Sequence, residues 1–162
     1  MSSKETDAIK AFFDSIPVPY TIIEHEPVRT SEEAAKVRGG SVEDGVKAML
    51  VDVHRKERQF YVVADLAANK KLDLKKLKEV LKADDVKLCP LDKVESVCGC
   101  APGGVPPLGH TPKIPILVDN SVLARSTNEF NIGQNTVSAR LATTDLKKAF
   151  EAYGAAFFDF SA

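Results

Sequence analysis

The sequence predicts an α+β (mixed α/β) fold in which residues 1–162 form a single domain. Three observations lead to this prediction. The chain of 162 residues is 44% hydrophobic, which suffices for one core of ordinary size. Helix-like and strand-like patterns are interleaved, and some strand patterns follow one another directly, which does not fit a regular parallel βαβ array. No linker, internal repeat or low-complexity tract divides the chain.

Five segments are predicted to be helices, and the first, third and last of them have apolar residues at the three- and four-residue spacing of a helix. The second begins with a capping-box pattern, because Thr30 is followed by Glu33, and it should end at Gly39. Thr143 or Thr144 is expected to cap the last one. The five helices are predicted near residues 6–15, 30–39, 74–81, 91–97 and 144–153.

Short runs rich in β-branched and other apolar residues predict strands. The two longest are joined by the charged residues 54–59, which we expect to form a turn. The strand segments are 20–24, 46–53, 60–64, 86–89, 114–118 and 137–141.

The chain carries 22 Lys and Arg against 23 Asp and Glu, a formal net charge of −1. This balance excludes a globally basic protein that coats nucleic acid, although a local basic patch is compatible with it. No apolar run is long enough to span a bilayer, and the N-terminal residues lack the apolar segment of a secretory signal. With an odd count of three cysteines, we expect a soluble cytoplasmic protein without disulfides.

Lys47 is unusual for its position, because residues 46–53 are apolar on both alternating faces. An ammonium group buried without a partner is costly, so its presence needs a reason. The side chain could lie at the rim of the sheet with its charged end in water. It could instead point into a polar cavity, ready to bind a carbonyl or phosphate oxygen. The pattern alone leaves both readings open.

Residues 99–115 contain four of the nine glycines and five of the nine prolines of the chain. Glycine lets a backbone approach a ligand closely, and proline holds that backbone rigid. Such a loop could therefore recognise a small group through main-chain N–H and C=O groups, or it could be purely structural. It matches neither a dinucleotide-binding fingerprint nor a P-loop.

The cysteines and histidines give little evidence for a metal site or a catalytic triad. A zinc site could be formed by Cys89, Cys98, Cys100 and His110, but their spacing matches no usual zinc motif. Nucleophile-elbow and zincin motifs are missing from the sequence. We therefore expect no metal and no cofactor.

Two further segments could contact a ligand or could be merely structural. Small and amide side chains are concentrated in residues 130–136, where they could bind a ligand or form a turn. The lysines of the predicted helix at 74–81 could be a solvated face or could contact phosphates. The candidate phosphate contacts are Arg29, Arg38, Lys71, Lys75, Lys78 and Lys82.

Three motifs together resemble the YbaK/prolyl-tRNA-synthetase-associated domain family. They are the lysine strand Val46-Lys-Ala-Met-Leu-Val51, the loop Gly103-Gly-Val-Pro-Pro-Leu-Gly109 and the later segment Ile114-Pro-Ile-Leu-Val-Asp119. The order of the elements is also similar, and the resemblance covers nearly the whole chain.

The resemblance implies a barrel-like, mixed and mostly antiparallel sheet flanked by helices, with a pocket between the lysine strand and the Gly/Pro loop. It implies an aminoacyl-tRNA deacylase that proofreads mischarged tRNA, most typically Ala- or Cys-tRNA(Pro), by substrate-assisted and metal-independent ester hydrolysis. By similarity, Lys47 is the catalytic residue and engages the acceptor-end phosphate or the ester carbonyl. The substrate-binding residues would be Gly103, Gly104, Val105, Pro106, Pro107, Gly133, Asn135 and Thr136.

The resemblance also implies the partners, which are tRNA (most typically tRNA(Pro)) and a prolyl-tRNA synthetase or a multi-synthetase complex, without a membrane. Family members selective for alanine often carry a histidine shortly before an Asn-Thr pair. Asn135 and Thr136 are present here without that histidine, so alanine and cysteine both remain open. The alternative is a non-catalytic module that docks tRNA or a synthetase, which would not need Lys47.

Overall fold

The structure of the protein, a computed structural model, describes residues 4–110 and 112–162. Thr111, in the Gly/Pro loop, lies outside the described residues. Helices are found at all five predicted places, although the one near 91–97 is a 3₁₀ turn over Leu91–Lys93 followed by a short α-helix. The helices are α1 Lys4–Ser15, α2 Ser31–Arg38, α3 Leu74–Leu81, α4 Val94–Cys98 and α5 Thr143–Tyr153.

The strands form two sheets. One has the order β1-β7-β6 and the other the order β4-β2-β3-β5-β8. Within the described residues, four strand pairings are antiparallel, whereas β3–β5 and β5–β8 are parallel. The predicted α+β class with a mixed, mostly antiparallel sheet is therefore confirmed. The strands are β1 Thr21–Glu24, β2 Val46–Arg55, β3 Arg58–Ala67, β4 Asp85–Leu88, β5 Ile116–Asp119, β6 Thr127–Asn131, β7 Val137–Ala142 and β8 Ala156–Phe158.

Two apolar clusters hold these layers together. The larger one lies between the two sheets and includes Phe13 of α1, Phe130 of β6 and Phe150 of α5. The smaller one covers the other face of the five-stranded sheet, where Leu77 of α3 and Phe160 are fully buried. Strand β2 alternates between them, since Val46 and Leu50 face the larger cluster and Val51 and Val53 face the smaller one.

Three local predictions need correction. The turn between β2 and β3 is only Lys56 and Glu57, both at positive φ, so the strands are longer than residues 46–53 and 60–64. The cap of α5 is Ala142, without a side-chain hydrogen bond. Thr143 is instead buried, and its hydroxyl donates to the side-chain oxygen of Asn128 at 2.7 Å. Strands β6 and β8 were not predicted, because polar residues interrupt the apolar pattern of β6 and β8 is very short.

None of the described helices combines the length and the apolar character that a membrane span needs.

Candidate functional site

The cavity that forms the candidate site lies at one end of β2. Strand β4 pairs with β2 only over Val51–His54, because the pairing ends where Val51 meets Leu88. Cys89 donates its N–H to the carbonyl of Leu50 at 2.9 Å, and the chain then turns away. Residues 46–49 of β2 are left with an open edge, beside a cavity of about 340 Å³. Segments 28–38, 88–94 and 102–105 and the side chain of Asn131 form its other walls.

Lys47 lines this cavity and is half-buried. Its ammonium group has no ion pair or hydrogen bond with the part of the chain that the structure describes. Burial lowers its pKa, the charge of Lys71 lowers it further, and the charge of Glu32 partly offsets both. Both readings of the sequence therefore meet at Lys47, which is partly exposed and also lines the cavity.

Arg29 and Arg38 also line the cavity, and no carboxylate does so among the described residues. Burial lowers the pKa of the Arg38 guanidinium to about 10, so it stays protonated at neutral pH. Its Nε donates to Ser138 Oγ and its Nη2 to Asn131 Oδ1, each at 2.9 Å. A cavity with three cations and no anion is suited to a negatively charged ligand group.

The Gly/Pro loop contributes Pro102, Gly103 and Val105 to the lining of the cavity. Gly103 and Val105 line the cavity, and their N–H groups have no hydrogen-bond partner within the described residues. Gly103 is at φ +86, which favours glycine. A Cβ on Gly104 would come within 3.0 Å of the backbone of Gly133 and Gln134, so this close packing also requires glycine.

The remaining predicted residues of the loop are structural neighbours of the cavity. Pro106 and Pro107 are buried and do not line it. His110 Nε2 lies 2.7 Å from the carbonyl of Pro106, and since a carbonyl only accepts, this nitrogen donates. Burial lowers the pKa of His110, so the imidazole is neutral at neutral pH and holds the loop.

The predicted ligand residues of segment 133–136 do not line the cavity either. Gly133 donates its N–H to the carbonyl of Gly104 at 2.7 Å. Asn135 exchanges backbone and side-chain hydrogen bonds with Val28, and Thr136 accepts from the N–H of His25 at 2.9 Å. These contacts fix Val28 and residues next to the cavity-lining Gly103.

The inner wall of the cavity is apolar. Cys89 belongs to this wall and donates its thiol to the carbonyl of Pro90. Cys98 and Cys100 are fully buried in the larger core cluster, where interaction with Cys100 lowers the pKa of Cys98. The other members of the wall are Val46, Ala48, Leu50, Val94 and Val105.

Residues 4–110 and 112–162 contain no group of three or more His, Cys, Asp or Glu side chains placed to hold a metal ion.

The lysines of the predicted face are exposed, and none of them lines the cavity. Lys71, Lys75, Lys78 and Lys82 are all exposed on α3 and its flanking residues. Lys71 is near enough to Lys47 for the two charges to interact, so this end of the face adjoins the cavity. Arg29 and Arg38, in contrast, are part of the cavity itself.

Two residues near the cavity were not among the site residues named from the sequence. Asn131, the last residue of β6, belongs to the amide-rich segment 130–136, but only its neighbours in that segment were named; it lines the cavity, and its Nδ2 donates to the carbonyl of Gly103 at 2.6 Å. Asp65 of β3 stands opposite Ala48 and is fully buried, and neither of its carboxylate oxygens has a partner among the described residues. The sequence does contain a signal for Asp65, because an aspartate inside the apolar run 60–67 is unusual.

Comparisons with known proteins agree with this architecture. The chain is 27% identical over 161 residues to the prolyl-tRNA editing protein ProX of Acetoanaerobium sticklandii, which covers 97% of both chains. It is 28% identical over 127 residues to the multifunctional Ser/Thr-tRNA deacylase ProXp-y of Escherichia coli, covering 78% of this chain and 76% of the relative. A crystal structure described as a proposed trans-editing enzyme for prolyl-tRNA synthetase superposes with a TM-score of 0.82 at 21% identity, over 100% of this chain and 99% of the other. Finally, the sequence profile of the aminoacyl-tRNA editing domain matches residues 25–149, and the chain therefore belongs to the aminoacyl-tRNA editing domain family.

Proposed function

We propose that the protein, acting as one editing domain over residues 1–162, hydrolyses the ester that joins a mischarged amino acid to tRNA, with Ala- or Cys-tRNA(Pro) as its substrate. The observation that carries this proposal is the composition of the cavity. An unpartnered ammonium, free backbone N–H groups and an apolar inner wall surround one space of about 340 Å³.

The charges of the cavity support an acceptor end of tRNA as ligand. Lys47 and Arg29 offer cations that no protein carboxylate lining the cavity neutralises, and a phosphate or a developing oxyanion would neutralise them. The volume is enough for an aminoacyl group and its ribose but not for a folded nucleic acid, so the rest of the tRNA would lie outside. Lys71 next to Lys47 begins a basic path along α3 that the tRNA could follow.

The inner wall supports a small amino acid with little polarity. Cys89 is the most polar side chain of this wall. The hydroxyl residues that line the cavity, Thr30 and Ser31, and the amide of Asn131 belong to its other walls, so an amino-acid side chain held against the apolar wall would find no partner there for the hydroxyl of serine or threonine. Alanine and cysteine fit this description better than the substrates named for the E. coli relative.

The reaction needs little chemistry from the protein itself. Water attacks the ester carbonyl carbon, the bond to the ribose oxygen breaks, and the proton from water passes to that oxygen through the neighbouring ribose hydroxyl or the thiol of a cysteinyl substrate. Lys47 and the N–H groups of Gly103 and Val105 would stabilise the negative charge on the carbonyl oxygen and orient the ester. We propose that no metal takes part, and that the protein works in the cytoplasm with a prolyl-tRNA synthetase or a multi-synthetase complex.

A deacylation panel tests the proposal. The protein is incubated with tRNA(Pro) charged with alanine, cysteine, serine, threonine or proline, and release of each amino acid is compared with spontaneous hydrolysis. We expect rapid release of alanine or cysteine and no release of proline. Binding of tRNA without acceleration of any hydrolysis would favour a docking module, and faster release of serine or threonine would reassign the substrate.

A further inference from the structure

Asn131 joins two walls of the cavity that are distant in the sequence. It is the last residue of β6, and its side-chain Nδ2 donates to the carbonyl of Gly103 at 2.6 Å. Gly103 has no side chain with which to anchor itself, and a Cβ at its position would meet nothing within 4 Å. Within the described residues, this is the hydrogen bond that ties the Gly103 carbonyl to the rest of the protein.

The orientation of the Asn131 amide is determined by its neighbours. Arg38 Nη2 lies 2.9 Å from Asn131 Oδ1, and a guanidinium can only donate. The hydroxyl of Ser138 also donates to Oδ1, at 3.0 Å, and itself accepts from Arg38 Nε. Because the guanidinium contact requires an oxygen and the Gly103 carbonyl can only accept, the amide nitrogen must face Gly103.

Arg38 is itself anchored by an ion pair whose carboxylate is buried and whose guanidinium is partly exposed. Arg140 Nη2 donates to the backbone carbonyl of Arg38 at 2.7 Å and to Glu129 Oε2 at 2.6 Å. Glu129 is buried against Gly40, where any Cβ would clash with its carboxylate. The chain of contacts therefore runs from a rigid core group, through Arg38 and Asn131, to a backbone atom of the loop.

We propose that Asn131 is a positioning residue, which holds the Gly103 carbonyl so that the free N–H groups of Gly103 and Val105 face the bound ester. This inference rests on the proposed function and adds a residue to its machinery. Gly104 is anchored separately, by the N–H of Gly133, so loss of the Asn131 contact should release the cavity side of the loop and leave its outer side in place.

Substitution Asn131→Asp tests this inference, because it keeps the size of the side chain and removes only the donor. The new carboxylate would form an ion pair with Arg38, so the melting temperature should be unchanged or higher, while its second oxygen would repel the Gly103 carbonyl. We expect kcat for the best substrate of the panel to fall about tenfold or more, with KM changed less than about threefold. Hydrogen exchange of the loop peptide around residues 101–108 should become faster.

Asn120→Asp is the matched control. Asn120 is an exposed amide that donates to the carboxylate of Asp159 at 3.0 Å, and it does not line the cavity. This variant should keep the wild-type kcat and loop exchange.

The outcomes are distinguishable. Unchanged kcat in Asn131→Asp, with or without faster loop exchange, would overturn the positioning role, and a lower kcat with unchanged loop exchange would show that Asn131 acts on the substrate directly. If the wild-type protein hydrolyses no charged tRNA, the proposed function fails. Loop exchange then still decides whether Asn131 holds Gly103.

Discussion

In the described part of the chain, charged side chains near strand β2 are paired at one of its ends and unpaired at the other. At the end paired with β4, the buried carboxylate of Asp52 accepts from Gln59 at 2.7 Å and lies 3.4 Å from His54 Nε2 and 4.0 Å from Lys87 Nζ. At the open end, Lys47 has no such partner, and Asp65 opposite Ala48 has none either within the described residues.

The length of β4 accounts for this difference. Where β4 covers the edge of β2, the sheet is complete, and its charges are satisfied by the protein itself. Where β4 ends, a cavity lies beside β2 instead of a strand, and Lys47 lines this cavity without an ion-pair partner among the described residues. Protein interiors rarely leave charges unpaired, because the cost is high, so such a cation indicates a ligand that supplies the missing partner.

The largest effect is expected from Lys47→Ala. Loss of the ammonium should lower the rate of deacylation about 100-fold or more, because a charged donor to the developing oxyanion disappears. The fold should persist, since Lys47 is half-buried and its ammonium makes no hydrogen bond or ion pair within the described residues that the substitution would break. Deacylation kinetics and thermal melting measure the two effects.

Lys87→Ala is the matched control from the paired end of the sheet. Lys87 is an exposed lysine on β4, 4.0 Å from Asp52, and its loss should leave the rate unchanged. If Lys47→Ala folds and turns over substrate like the wild type, Lys47 has no part in the reaction.

The second-largest effect is expected from Asp65→Asn and concerns the free energy of unfolding. Burial raises the pKa of Asp65 well above the usual value, so the folded state holds the proton more tightly than the unfolded state does. Below the unfolded pKa near 3.8, this difference in proton binding does not change the free energy of unfolding. Above it, the free energy of unfolding falls by up to about 1.4 kcal/mol per pH unit, until the folded pKa is reached. Asp65→Asn should therefore be more stable than the wild type at pH 7, and the difference should shrink towards pH 4.

Denaturant unfolding at several pH values measures this difference. Asp52→Asn provides the contrast, because Asp52 has hydrogen-bonding and charged partners that its amide would lose, so this variant should be less stable than the wild type at neutral pH. Equal pH dependence of stability in Asp65→Asn and the wild type would mean that Asp65 is satisfied by a group that the contacts described above do not include.

A smaller effect is expected from the lysine face of α3. Reversal of Lys75 and Lys78 to Glu should weaken tRNA binding and reduce the slope of log affinity against log salt by about 1–2, while kcat at saturation stays nearly unchanged, because neither charge is among those that act on Lys47. The same reversal at Lys147 and Lys148, two exposed lysines of α5, serves as control. An unchanged salt slope would show that the face is only solvated.

The smallest effect is expected from removal of metal. After dialysis against a chelator and return of Mg²⁺ for the tRNA, deacylation should change less than about twofold, because the proposed reaction uses no resident metal. Stoichiometric zinc in the purified protein, together with activity that zinc alone restores, would contradict this expectation.

The sequence by itself determined the fold class, the places of the helices and the two features that identify the cavity. Apolar spacing predicted α1, α3 and α5, because the buried face of a helix carries apolar residues at the period of the helix. Lys47 stood out because a charge inside an apolar strand is costly in every tertiary setting. The concentration of glycine and proline marked the loop for a similar reason, because backbone conformation restricts those residue types locally.

Only the tertiary structure decided which loop residues reach the cavity and what holds them. Gly103 and Gly104 are neighbours in sequence, yet one lines the cavity and the other packs on Gly133, because strand register and loop path depend on contacts between distant segments. The roles of Asn131 and Arg38 depend on partners about 30 and 100 residues away in sequence. No local pattern contains such pairings, because they arise only when the sheets close around a common core.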